Sequence, residues 1–422
     1  MKIKFINHAC IQIFAKDYSL LVDPWFSGKV FNSSWELLRE TDEKSLDLSS
    51  LKYILVSHEH PDHLNFDTLK KIYQIKPDLT FVFPFRKDNT IKKVIEKIGF
   101  EFHFIRQNIE KYKIDEINFV KYYSNDNEGD HTILFSLDNK IIINQNDDYT
   151  DEISIRKINE EFPNIDILFT QFSLAGYYGN SDDPSTIKKD GHDFHLNRVI
   201  EYQKKFNVPI VVPFASYVYF CKETNKYLNE YKVKPHEVLE ALGNDICQLV
   251  YYGDEILFNE AYKKRNSDNL DKLDKLFDFK DLKYSESKLI PDDQIIEMIN
   301  KKLSEMNMFR KMRTLTDNFR FSNLIKGFYK LFLLSKPLNV LVSDTNKTLK
   351  INFLSNTSYI SEFEKENYDF KIPSEELLYM FKFPWGSDTA NITATVDYYS
   401  KRSFYFFEYL LRYYHVHGAK FF

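Results

Sequence analysis

The sequence predicts an α/β fold in which two β-sheets pack face to face with helices on their outer surfaces. Three observations point there. The first 25 residues read as short strands joined by tight turns. A strand–helix–strand rhythm then runs from residue 53 to residue 105. From residue 117 to residue 212 strands joined by turns, then a helix and further strands, repeat the pattern. A doubly wound parallel sheet is the alternative, and the early hairpins argue against it.

Residues 2–6 and 10–14 alternate polar and apolar side chains, and 18–22 form a third short apolar run. Alternation of period two is the signature of a half-buried strand. Asp17 suits a hairpin turn between the last two, and Pro24 ends the third by removing a ladder donor. Residues 53–56 form a short apolar strand that runs into Ser57-His58-Glu59-His60-Pro61-Asp62-His63-Leu64-Asn65. A helix is expected from Phe66, capped by Asn65 or Asp67, with Leu69, Ile72 and Tyr73 on one face. Strands at 80–83 and 101–105 flank a helix at 90–98 that Gly99 closes. Asp138-Asn139 separates strands at 132–137 and 140–143 as a hairpin turn. A helix at 151–161 and apolar strands at 165–169 and 210–212 follow.

At 422 residues the chain is long enough for two domains. Residues 1–260 make the first, and the polar stretch 261–292 reads as a charged linker or surface helix. Residues 293–422 read as a smaller C-terminal α+β domain, with helices at 295–308, 374–380 and 404–414, apolar runs at 328–334 and 339–342, and a strand at 351–354.

The apolar fraction of 43% and charged fraction of 28% fit a soluble globular protein. A net charge of −5 supplies no basic field for nucleic acid. The longest uncharged stretch, 206–221, is too short to span a bilayer and contains two prolines. The first residues lack the apolar segment of a signal peptide. Cys10, Cys221 and Cys247 are far apart, which excludes a disulfide framework and fits a reducing cytoplasm.

The chemistry concentrates in His58-Glu59-His60-Pro61-Asp62-His63. Three of the chain's 11 histidines fall within six residues, after a strand and before a helix. In extended backbone, residues i and i+2 point the same way, so His58 and His60 can grip one metal. Asp62 and His63, beyond the stiff Pro61, then face a second. Such ligands suit zinc, iron or manganese. The alternative is a His-rich surface turn. The other His-x-His pair, His415 and His417, lacks a following Asp-His and reads as packing or tail. Asp23 is a candidate acceptor for the free N–H of a ligating imidazole.

The motif His58-x-His60-x-Asp62-His63 resembles the metallo-β-lactamase superfamily, over residues 1 to about 255. His8-Ala9-Cys10, a hairpin, and Val22-Asp23-Pro24-Trp25 resemble the metal-dependent hydrolase branch that includes ascorbate-6-phosphate lactonase-like proteins. The run from Asp23-Pro24-Trp25-Phe26-Ser27-Gly28 to Phe31, with Trp35-Glu36-Leu37-Leu38, is similar to the non-Rieske core of CMP-N-acetylneuraminate hydroxylase.

The resemblance implies an αββα sandwich and further ligands. A bridging carboxylate is expected at Asp147, with Asp148 the fallback, and a third histidine for the first metal at His131, with Asp130 its rival. A last histidine is expected where the chain has Cys221-Lys222-Glu223, so Lys222 marks a lost ligand. Cys221, His192 or His195 are its possible substitutes. His8 is implied to orient a ligand or contact substrate.

These expectations support a metal-dependent hydrolase in which a metal-bound hydroxide, positioned by Asp62 or Asp147, attacks an ester, amide, lactone or phosphodiester. One or two divalent ions are implied, with zinc ahead of iron or manganese. The small-molecule substrate would carry a sugar or acyl group, and a homo-oligomer is compatible with the sequence. An iron-dependent oxygenase is the alternative, although no cysteine here stands at the Cys-x-His or Cys-x-x-His spacing of a Rieske centre. A degenerate, non-catalytic binding protein is the second. Phe383-Pro384-Trp385-Gly386 and the residues to Ala394 resemble a strand segment of sterol-carrier-like domains; a lid or dimerisation unit is the competing role.

Overall fold

The alternation of the opening strands sorts their side chains between two cores. Ile3, Phe5, Ile11, Ile13, Leu20 and Val22 point one way into the larger core. Ile6, Cys10 and Leu21 point the other way, against the helices Phe66–Ile75 and Thr90–Ile98 through Leu69, Ile72 and Ile95. The computed structural model describes residues 1–116, 118–124, 129–305, 336–353, 355–361 and 368–405. The expected run at 328–334, the helical stretches 306–308 and 406–414, and His415 and His417 lie outside the described residues.

Seven strands form the first sheet, in the order Glu255–Ile256, Lys2–Asn7, Cys10–Phe14, Ser19–Val22, Leu51–Leu55, Thr80–Pro84, Glu101–Ile105. The hairpins are antiparallel, and pairing turns parallel from Ser19–Val22 onward. Six strands form the second, ordered Val211–Phe214, Ile167–Gln171, Lys140–Asn146, Thr132–Leu137, Phe119–Tyr123, Lys111–Lys113. Ile133, Phe135, Ile142 and Leu168 from this sheet meet the inner face of the first in one core. The helices Glu152–Glu161 and Phe194–Phe206 add Ile155, Ile158, Val199 and Phe206. This is the predicted αββα sandwich.

Local chemistry accounts for the element ends. Asp138 and Asn139 both take positive φ (48° and 61°), as a two-residue hairpin turn requires, and Leu137 pairs with Lys140. The strand Lys140–Asn146 runs three residues beyond its expected end, and its register with Ile167–Gln171 shifts between Asn144 and Asn146. Asn146 has φ 54°, so the chain bends sharply just before Asp147.

The polar stretch after residue 260 holds a helix, Ala261–Leu276, that buries Tyr262, Asn266, Asn269 and Leu273. Asn266 accepts from the Leu249 amide, and Asn269 donates to the Leu249 carbonyl, so this helix is hydrogen-bonded to the sandwich. A five-stranded sheet follows, ordered Thr357–Ser361, Lys347–Asn352, Leu338–Val342, Phe370–Ile372, Asp397–Tyr398, with its own core around Val340, Ile351, Phe370 and Leu377. Polar contacts join it to the sandwich. The amide and hydroxyl of Ser181 donate to Asp397 at 2.7 and 2.8 Å, and Asn225 donates to the Thr393 carbonyl at 2.9 Å.

Lys232 departs from the usual pattern of burial. Its side chain is buried, its ammonium has no hydrogen-bond partner, and burial pushes its pKa down to about 7. An unfolded lysine titrates near 10.5. Between these values the unfolded chain binds more protons, so stability rises with pH across that window. The full cost of Lys232 is present below about 7 and is gone above about 10.5. Lys232→Met is therefore expected to raise the melting temperature by at least about 2 °C at pH 6 and by less at pH 10. Thermal unfolding at the two pH values checks this; an equal or lower melting temperature at pH 6 would contradict it.

Candidate metal centre

The ligand-bearing loops converge because the strands that carry them end on one side of the sandwich. Ser19–Val22 and Leu51–Leu55 are parallel neighbours, which places Asp23 beside Ser57. Asp23 adopts φ 45°, a conformation that Asp tolerates better than most residues. One of its carboxylate oxygens accepts from the Ser57 amide at 2.7 Å and the other from the Ser57 hydroxyl at 2.8 Å. His8 stands in the turn between Lys2–Asn7 and Cys10–Phe14, with φ 31° and its carbonyl held by the Ala215 amide. Asp130 precedes Thr132–Leu137 and Asp147 follows Lys140–Asn146, so both come from the second sheet.

Three groups result, each with ligand atoms within 4.8 Å of one another: His58, His60 and Asp130; His8, Asp62 and His63; and His58, His63 and Asp147. His58 Nε2 lies 2.8 Å from His60 Nδ1 and 3.5 Å from Asp130 Oδ1. His8 Nε2 and His63 Nε2 lie 3.3 and 3.4 Å from Asp62 Oδ2. Asp147 Oδ2 is 3.7 Å from both His58 Nε2 and His63 Nε2, between the two groups.

The far sides of the imidazoles are also held. His63 Nδ1 faces Asp23 Oδ2 at 3.0 Å, and His58 Nδ1 faces the Ser57 hydroxyl at 3.0 Å. Such partners fix ring orientation and leave Nε2 free to ligate. Electrostatics point the same way. Burial opposes charge on His63, but Asp62, Asp147 and Asp23 outweigh it and hold its pKa well above the usual value. Burial pushes His58 well below. Asp62 Oδ1, Asp147 Oδ1 and His8 Nδ1 are buried without a hydrogen-bond partner. Buried polar atoms ordinarily have partners. Carboxylates crowded around imidazoles, with oxygens left over, fit a bound cation.

The structure therefore brings together His58, His60, Asp62, His63, Asp147, His8 and Asp23. It does not bring in His131, whose Nε2 lies 3.0 Å from Gln107 Nε2 and whose pKa is pushed well down by burial and by Arg86. His131 stands just before the strand Thr132–Leu137 and its ring packs beside Tyr122, while the preceding residue, Asp130, reaches His58. Asp148 points away as well, accepting from Thr132 and Thr150, and burial lifts its pKa to about 7.

Lys222 is also remote from the centre. Its ammonium pairs with Glu375, at 3.0 Å, and with Glu376 in the C-terminal unit. A buried ammonium needs a carboxylate, and this segment lies against that unit rather than the ligand loops. Cys221 donates to the Ser33 carbonyl, His192 meets Asp193 and Glu237, and His195 meets Tyr178. In the group with Asp62 and His63 the other imidazole is that of His8.

Sequence reasoning missed Arg86. It pairs with Glu59 and donates to the Gly129 carbonyl at 3.1 Å, tying the histidine loop to the segment that carries Asp130. No motif announces it, because the three segments meet only in the fold. A cavity of about 370 Å³ lined by Lys4, Arg39, Thr41 and Tyr252 includes none of the ligand residues.

Residues 2–149 match the beta-lactamase superfamily domain. The cytidine monophosphate-N-acetylneuraminic acid hydroxylase of Danio rerio is 26% identical over 263 residues, which are 56% of this chain and 42% of that protein. The Mus musculus hydroxylase is 36% identical over 80 residues, 19% of this chain and 14% of that protein. The chain thus spans less than half the length of these relatives. Among solved structures, the diiron β-hydroxylase CmlA from Streptomyces venezuelae is 14% identical, covering 60% of this chain and 53% of that one at a TM-score of 0.43. An isothiocyanate hydrolase from Delia radicum gut bacteria is 15% identical, covering 61% and 99%, also at 0.43. Scores of this size carry no functional argument.

Over residues 2–149 the chain is similar to the beta-lactamase superfamily domain. Over a longer stretch, 263 residues, it is also similar to a cytidine monophosphate-N-acetylneuraminic acid hydroxylase. Among the described residues no helix is long and apolar enough to cross a membrane.

Asp23→Asn tests the support behind His63. Asn tolerates the same backbone conformation but cannot supply the carboxylate. Metal affinity is expected to fall roughly 10–100-fold with the fold unchanged. Competition with a chromophoric chelator measures it, and an unchanged affinity would show that Asp23 does not support a metal ligand.

Proposed function

We propose that this chain is a metal-dependent enzyme with two ions, held by His58, His60 and Asp130 on one side and His8, Asp62 and His63 on the other, with Asp147 between. The reaction that this donor set favours is hydroxylation of a small, oxygen-rich substrate of the sugar-acid kind. One observation carries the reading: each group offers two imidazoles and one carboxylate, and Asp130 stands where an imidazole was expected. Two-histidine, one-carboxylate sets with open positions accompany non-haem iron oxygenases, and harder oxygen donors shift preference from zinc towards iron or manganese. The hydroxylase relatives support it.

Iron bound there would supply oxygen activation, with two electrons from a reduced flavin or iron–sulfur donor, one oxygen atom entering the substrate C–H bond and the other leaving as water. The chain's own residues orient and exchange protons. Asp23 and Ser57 hold the rings of His63 and His58. Asp62 Oδ1, buried without a partner, is open to a ligand or a proton. Arg86 holds the histidine loop against Gly129.

Hydrolysis is the second reading, favoured by the same donor set, since two histidines and a carboxylate also hold catalytic zinc. The substrate would then be an ester, amide, lactone or phosphodiester.

Metal analysis of protein purified from iron-replete medium without added metal separates the two. The proposal expects iron at close to two ions per chain, reductant-dependent oxygen uptake, and loss of about one ion in Asp130→Ala. Zinc alone, no oxygen uptake, and cleavage of a model ester or lactone would overturn the hydroxylase reading in favour of the hydrolase.

A further inference from the structure

The helix Phe194–Phe206 brings positive charge into the interior beside the metal centre. Arg198 is buried, and one of its amino groups, Nη2, donates to Gln171 Oε1 at 2.8 Å. Its Nε and Nη1 are buried without any partner. One turn earlier, buried His195 meets the Tyr178 hydroxyl through Nε2 at 2.7 Å, while its Nδ1 has no partner. Lys232 adds a fourth unpartnered buried nitrogen, its ammonium 5.7 Å from the centroid of the Phe220 ring.

Among the described residues no carboxylate pairs with Arg198, His195 or Lys232. The charges that bear on His195 are those of Arg198, Lys232 and His192, and all are cationic. Of these, only His192 has acidic partners, Asp193 and Glu237. Buried arginine and lysine are almost always paired, because an isolated buried charge costs several kcal/mol or shifts its pKa. A guanidinium with two free N–H groups is also the donor geometry that recognises carboxylate and phosphate.

The location links the group to the reaction site. The Tyr149 ring centroid lies 4.2 Å from the Arg198 guanidinium carbon, and Tyr149 is two residues beyond Asp147. Gln171 ends the strand that neighbours Lys140–Asn146. Tyr149 and Phe194, 45% and 43% exposed, stack at 5.9 Å with their rings 20° from parallel, so the buried cations lie behind an exposed aromatic pair.

We propose that Arg198 and His195, assisted by Lys232, form a subsite for an oxyanion, the carboxylate or phosphate of an acidic substrate whose ring rests against Tyr149 and Phe194. It deepens the function proposed above, and rests on it only in placing the reaction at the neighbouring metal centre. The anion supplies the acceptor atoms that the free N–H groups lack, and so offsets the cost of holding unpaired cations inside the protein.

Calorimetric titration of the full chain tests this, with inorganic phosphate, cytidine monophosphate and N-acetylneuraminic acid as separate probes, before and after chelator treatment. Wild type is expected to bind at least one probe. Phosphate and cytidine monophosphate report a phosphate subsite, and N-acetylneuraminic acid a carboxylate one. Arg198→Met is expected to weaken that probe at least about tenfold while metal content stays unchanged. Lys232→Met, which removes a destabilising charge, is expected to weaken it less and serves if Arg198→Met does not fold. Retained binding in metal-stripped protein supports a subsite separate from the ions, whether or not the enzyme proposal survives. No binding of any probe, or binding abolished by the chelator yet unaltered in both variants, would overturn the subsite.

Discussion

The centre depends on one buried carboxylate. Asp23 ends one strand, receives both the amide and the hydroxyl of Ser57 at the end of its parallel neighbour, and faces His63 Nδ1. These contacts lock the start of the histidine loop to the sheet and turn the His63 ring. Ser57 in turn meets His58. A loop of three imidazoles and a carboxylate would otherwise have many conformations available, and ordering each residue of it costs on the order of 1–2 kcal/mol of backbone entropy. Fixed by Asp23, it meets Asp130 and Asp147 arriving from the opposite sheet. The sandwich therefore matters to the chemistry chiefly because it delivers two sets of strand ends to one place.

Much of this was legible in the sequence, for physical reasons. Period-two alternation in residues 2–6 and 10–14 reports which face is buried, and the structure divides Phe5 and Ile6 between two cores accordingly. The density of His58, His60, Asp62 and His63 in one turn is a local signal, and local signals survive folding. The choice between His131 and Asp130 was not legible. Adjacent residues at a strand start point in opposite directions, and only the packing of His131 beside Tyr122 and Gln107 decides which one faces the ligands. Lys222 was misleading for a related reason. Its partners, Glu375 and Glu376, lie some 150 residues away in sequence, so its place between the two units has no local signature.

His8 and Arg198 show the same limit from the other side. A lone histidine in a hairpin turn and a lone arginine on an amphipathic helix carry no motif. In the fold, the first lies against Asp62 and His63, and the second is buried against Tyr149 with two of its nitrogens unpartnered. Among the described residues, none of the C-terminal unit belongs to the ligand groups. Its contacts with the sandwich are polar and specific: Lys222 with Glu375 and Glu376, Ser181 with Asp397, Asn225 with Thr393. Orphaned buried carboxylate oxygens are costly in a folded protein, and two of them, on Asp62 and Asp147, fall within the ligand groups.

The most direct test is anomalous diffraction from crystals of the protein grown without chelator, with data collected at the iron and zinc edges. Two peaks flanking Asp147 are expected, one ligated by His58, His60 and Asp130 and the other by His8, Asp62 and His63. An ion ligated by His131 in place of Asp130, or imidazoles turned outward with no peak between them, would contradict the account.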